Sequence, residues 1–86
     1  MNAYTVNFYA ACPNNSIRIA YRLRIESRCV ISVEDIIAAV ELTDEGYHEE
    51  IADQMLERFG GTQTLTADHH GVTIETTRAA ARGAAS

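Results

Sequence analysis

Asp68-His69-His70 sets three potential metal ligands in a row, and His48-Glu49-Glu50 places an imidazole beside two carboxylates. A closed metal site needs three or four converging ligands, and adjacent side chains at a hairpin tip diverge. His48 or Cys29 would have to fold across to complete one, so the reading is a polar turn and no metal. His48-Glu49-Glu50 lacks the second histidine, one helical turn on, of the H-E-x-x-H pattern. His48 falls toward the apolar side of its helix, as a partly buried neighbour of the core. Cys12 and Cys29 form no C-x-x-C pair, and a straight strand between them would hold them roughly 35 Å apart, beyond disulfide reach. Both are expected as free thiols. The chain has no G-x-S-x-G, no glycine-rich phosphate loop and no cysteine beside a histidine. Acid pairs such as Glu34-Asp35 and Glu49-Glu50 would point about 100° apart on a helix, which rules them out as catalytic dyads. Enzyme activity, catalytic residues and a cofactor are therefore not expected.

Charge is the stronger signal. Nine of the twelve acidic residues lie between Glu34 and Glu57, a stretch with no basic residue, whereas the first 33 residues carry Arg18, Arg22, Arg24 and Arg28 against Glu26 alone. Segregation of this kind describes surfaces that bind.

The elements that must position these groups follow from periodicity. Tyr4, Val6, Phe8 and Ala10 alternate with polar neighbours, and Ile17, Ile19, Tyr21, Leu23 and Ile25 do so more cleanly, with Cys12-Pro13-Asn14-Asn15-Ser16 as the hairpin loop between two strands. Ser32 and Asp35 resemble a capping box ahead of a helix from about Val33 to Glu41, with Val33, Ile36, Ile37 and Val40 on its apolar stripe. Thr43 to Gly46 breaks that helix. Tyr47, Ile51, Ala52, Met55, Leu56 and Phe59 form the stripe of a second, ended by Gly60-Gly61. Gln63, Leu65 and Ala67, then Val72, Ile74 and Thr76, mark two further strands around the Asp68–Gly71 loop. The order predicts an α+β domain over residues 1–78: a four-stranded antiparallel sheet, ββααββ, with a two-helix hairpin on one face and the other face open. Residues 79–86 read as a flexible alanine-rich tail.

On that frame Glu49, Glu50, Asp53 and Glu57 line one exposed ridge of the second helix, with only Arg58 as a cation on the helix to relieve their repulsion. The ridge suits a protein partner with a basic groove. Arg18, Arg22 and Arg24 share one face of the second strand. They could meet phosphate, with Tyr9 supplying stacking, although the net charge of −5 argues against nucleic acid. Alternatively they guard an exposed strand or form a second partner-binding face. An open sheet face or edge strand can also pair with itself, so a homodimer is a further expectation.

At 86 residues, 47% of them apolar and 22% charged, the chain has room for one domain with one modest core. The N-terminus lacks the basic and apolar regions of a secretory signal, and no apolar run is long enough for a membrane span, so the expected location is the cytoplasm. A very short, acidic, single-domain α+β chain with a carboxylate ridge and no catalytic motif resembles the anti-CRISPR inhibitors and other small host-takeover proteins of phages and mobile elements. The likeness rests on size and charge, and it carries no residue role over to this chain. It implies binding to a CRISPR effector complex in a bacterial host cell, either in a nucleic-acid channel or against a conformational step. The absence of lysine beside many Ala, Thr and Arg residues fits a GC-rich bacterial source.

Overall fold

Alternation of apolar and polar residues makes each strand two-faced, and four such strands pair edge to edge. The computed structural model describes residues 1–80. It contains β1 (Asn2–Ala11), β2 (Arg18–Ser27), α1 (Val33–Leu42), α2 (His48–Phe59), β3 (Thr62–His69) and β4 (Val72–Ala79). The sheet is antiparallel throughout, in the order β1-β2-β3-β4. β1 begins and β4 ends on the same row, where Ala3, Glu26, Thr62 and Ala79 stand side by side.

One face of the sheet carries the core. Leu23, Ile25, Tyr21 and Leu65 are almost wholly enclosed beneath Ile36, Val40, Ile51 and Met55 from the helices. Burying a side chain of that size contributes about 1.5 to 3 kcal/mol, so this cluster supplies most of what holds the domain together. Phe8 and Tyr21, cross-strand neighbours, stack with ring centroids 5.3 Å apart. α1 packs on β1, and α2 packs on β3 and β4. β4 is incompletely covered, leaving Val72 63% and Ile74 36% exposed on the helix-bearing side.

Several local expectations need correction. The Ser32 side chain makes no capping bond to the α1 backbone; its hydroxyl donates to Glu34 at 2.8 Å and holds that carboxyl below its usual range. Reciprocal capping appears instead at α2, where the Glu50 carboxylate accepts from the Tyr47 N–H at 3.4 Å. The buried stripe of α1 runs through Ile36, Ala39 and Val40, while Val33 and Ile37 face outward. The ten-residue helix sits over the sheet's edge, so only part of its apolar arc finds cover. Ala79, assigned to the tail, pairs with Thr62 as the last residue of β4, and the Ala80 N–H donates to the Gly61 carbonyl. The rest of that tail, residues 81–86, lies outside the described residues.

Candidate functional site

Helical spacing puts Glu49, Glu50, Asp53 and Glu57 on the outer side of α2, and all four are exposed. They are not equivalent. The Arg78 Nε, from β4, donates to Asp53 Oδ1 at 3.0 Å, and Glu50 is engaged at the helix N-terminus. Glu49 and Glu57 therefore hold the ridge's carboxylates without a cation partner among the described residues. Arg78 stands 25 residues from Asp53 in sequence, beyond the reach of helical spacing rules.

The opposite side of the molecule is the bare face of the sheet. Arg18, Arg22 and Arg24 lie exposed along β2, flanked by Asn7 and Tyr9 on β1 and by Thr64 and Thr66 on β3. Arg22 and Arg24 with these neighbours line an open trough of about 810 Å³, and Arg18 lies outside it. Partners within the sheet partly occupy each arginine: Arg18 lies over the Tyr9 ring at 5.6 Å, Arg22 Nε donates to Asn7 at 3.3 Å, and Arg24 approaches Glu26 at 4.0 Å. Such exposed pairs are worth at most about 1 kcal/mol each and leave the guanidinium groups available to a ligand. Glu75, on β4, gives the far side of the same face the opposite sign.

A third cluster was not assembled by the sequence reading. His48, buried at the start of α2, does fold across, and its Nδ1 meets His69 Nε2 at 3.3 Å. Tyr21 lies against both imidazoles, with centroids 5.6 Å from His48 and 6.2 Å from His69. Burial, and then the nearby Cys12, push the Tyr21 phenol up from its ordinary value. Burial is also the main cause lowering the His48 pKa, with His69 acting the same way. Two buried polar atoms here, Tyr21 Oη and His48 Nε2, make no well-formed hydrogen bond among the described residues. Alternation could have placed His69 on the inner face of β3, but nothing local ties it to His48, 21 residues away.

The three side chains of Asp68-His69-His70 diverge. Asp68 accepts from the Gly71 N–H at 2.7 Å, His69 turns inward and His70 sits exposed at φ 57°. Among the described residues no group of three or more His, Cys, Asp or Glu side chains is arranged to hold a metal ion, and no helix is long and apolar enough to cross a membrane. Cys12 and Cys29 are free thiols at opposite ends of β2.

No protein-family model matches the chain, and no curated protein matches it. Among solved structures it is similar to the archaeosine synthase QueF-Like in the apo form, with a TM-score of 0.73 and 19% sequence identity, covering 90% of this chain and 89% of that one. That likeness shows a shared fold: one α+β architecture spanning almost the whole of both chains.

Proposed function

We propose that this protein is a self-associating binding module whose copies join by pairing β1 of one with β4 of the next. The observation that carries this reading is the pair of edges, β1 and β4, that no other strand covers among the described residues. With four strands, β1 and β4 run in opposite directions, so a second copy can extend the sheet antiparallel without turning it over. The backbone groups fit as well. At β1 the N–H and C=O of Ala11 point away from β2, to Asp44 and Gly46, whereas the Cys12 N–H points into the hairpin. Ala3, Thr5, Asn7 and Tyr9 therefore present their backbone groups at the open edge. At β4 the Ala80 N–H points to β3, which leaves Thr73, Glu75 and Thr77 facing outward. Pairing these two sets keeps all apolar faces on one side. On that side Val72 and Ile74 of one copy would meet the 400 Å³ hollow lined by Val6, Phe8, Ile37 and Val40 on the next. Unprotected strand edges of this length are uncommon in proteins that stay monomeric.

Glu75→Pro tests the reading, because it removes an outward N–H and no ladder bond inside the monomer. Sedimentation velocity should show a concentration-dependent oligomer for the native chain and a monomer for the variant, with matching circular dichroism. A native chain that sediments as a monomer up to its solubility limit would sink the proposal.

A second reading rests on the acidic helix layer, where Glu49 and Glu57 lack cation partners among the described residues. Here the layer docks into a basic groove, such as that of a CRISPR effector complex. The informative variant is Glu49→Lys with Glu57→Lys, sparing the Asp53–Arg78 pair. Retention of effector complexes by the tagged native chain, weakened by salt and lost in the double variant, is the expected result. Equal retention by both would discard it.

A further inference from the structure

We propose that the His48–His69 contact is a proton-operated latch fastening α2 to the β3–β4 hairpin, closed while the pair holds at most one extra proton and open when it holds two. The argument is geometric. His48 Nδ1 and His69 Nε2 face each other at 3.3 Å, so one must be a bare acceptor for the other's N–H to fit between them. With both rings neutral this holds in either tautomer arrangement. A first proton is also tolerated: on either ring it leaves the other's facing nitrogen bare and gives the bond a charged donor. A second proton leaves an N–H on each facing nitrogen and two cations in contact, and the rings must part.

The surroundings do little to soften that step. The His48 ring is packed between β2, β3 and β4. From β2 it meets the Tyr21 ring and from β3 the His69 ring, while the Leu65 carbonyl, the Arg78 guanidinium of β4 and Glu49 of its own helix act on it electrostatically. The Leu65 carbonyl and Glu49 favour the charged ring, but burial, His69 and Arg78 oppose it more strongly. Among the described residues His48 Nε2 makes no well-formed hydrogen bond, so the Leu65 carbonyl only partly rewards a proton on the ring. The hairpin is a suitable part to release. Its tip, His70-Gly71, has φ angles of 57° and 88°, and Val72 beside it is largely exposed. The His69 ring is therefore the side-chain hydrogen-bond contact between this end of β3 and α2. The latch concerns a single copy of the chain and does not depend on how copies assemble.

A proton-by-proton titration followed by NMR tests the proposal. The imidazole resonances of His48 and His69 and amide exchange at the α2 N-terminus and the β3–β4 tip are measured on the intact chain from pH 8 to pH 4.5. The expected result is that His48 titrates below 6.5 and that amide exchange at the corner accelerates in step with it. His69→Gln supplies the second arm, because its amide can turn its oxygen to a protonated His48 Nδ1. In that variant the His48 midpoint should move up toward or above 6.5 and the acid-driven exchange should vanish. Titration of His48 at or above 6.5 in the native chain would overturn the latch. So would corner exchange with the same pH dependence in His69→Gln. Should the variant fail to fold, the position of the native His48 titration and its coincidence with corner exchange decide the matter alone.

Discussion

Gly61→Ala should cost the fold a large share of its stability. Gly61 has φ +69°, a left-handed conformation, and a Cβ built there would lie 2.3 Å from the Glu26 carbonyl oxygen. That oxygen is backbone on β2 and cannot rotate aside. Left-handed strain costs an alanine about 1 to 2 kcal/mol, and the clash adds to it, for a total of roughly 3 to 5 kcal/mol. Domains of this size have on the order of 5 to 10 kcal/mol in all. Thermal unfolding followed by circular dichroism should show a midpoint lower by at least about 12 °C, or no cooperative transition. A midpoint within a few degrees of the native one would mean that β3 enters the sheet by a different path from the one described.

Gln63→Leu is also expected to destabilise the fold, although it replaces a polar side chain in the core with an apolar one. The Gln63 amide nitrogen donates to the carbonyls of Met55 at 2.9 Å and Gly60 at 2.8 Å, closing the C-terminal end of α2. Leucine fills a similar volume but leaves the Gly60 carbonyl without this donor, at about 1 to 3 kcal/mol, while the Met55 carbonyl loses its second bond and keeps the Phe59 N–H of the helix ladder. It also removes a buried amide oxygen that has no partner, which offsets part of the loss. Urea denaturation should give a net destabilisation of roughly 1 to 3 kcal/mol. A neutral or stabilised variant would show that the unpartnered oxygen costs more than the two bonds contribute.

Gln63 also marks where sequence reading runs out. Alternation with Thr62 and Thr64 correctly placed it on the inner face of β3, since side-chain direction in a strand depends only on parity. Its partners are set by how α2 lies across the sheet, which no local pattern encodes. The same division holds elsewhere. The six elements and their antiparallel order followed from periods of two and 3.6, and the exposure of Glu49, Asp53 and Glu57 from helical spacing. The Asp53–Arg78 pair and the His48–His69 contact bridge 25 and 21 residues, so each needed the fold in three dimensions before it could be seen. Ser32 illustrates the opposite error. Its residue type was right for capping, but Glu34 competed for its hydroxyl.

The shared row of Ala3, Glu26, Thr62 and Ala79 bears on how the chain can be rewired. Three strand spacings separate Ala79 from Ala3 within a copy, about 14 Å, which a linker of roughly five residues can span. A circular permutant joined there, with new termini opened at His70-Gly71, would keep every strand pair of the native ladder except the short β3–β4 turn. Between two copies joined edge to edge, the same ends lie one strand spacing apart. A hairpin loop of two to five residues is then enough to write the dimer as a single tandem polypeptide.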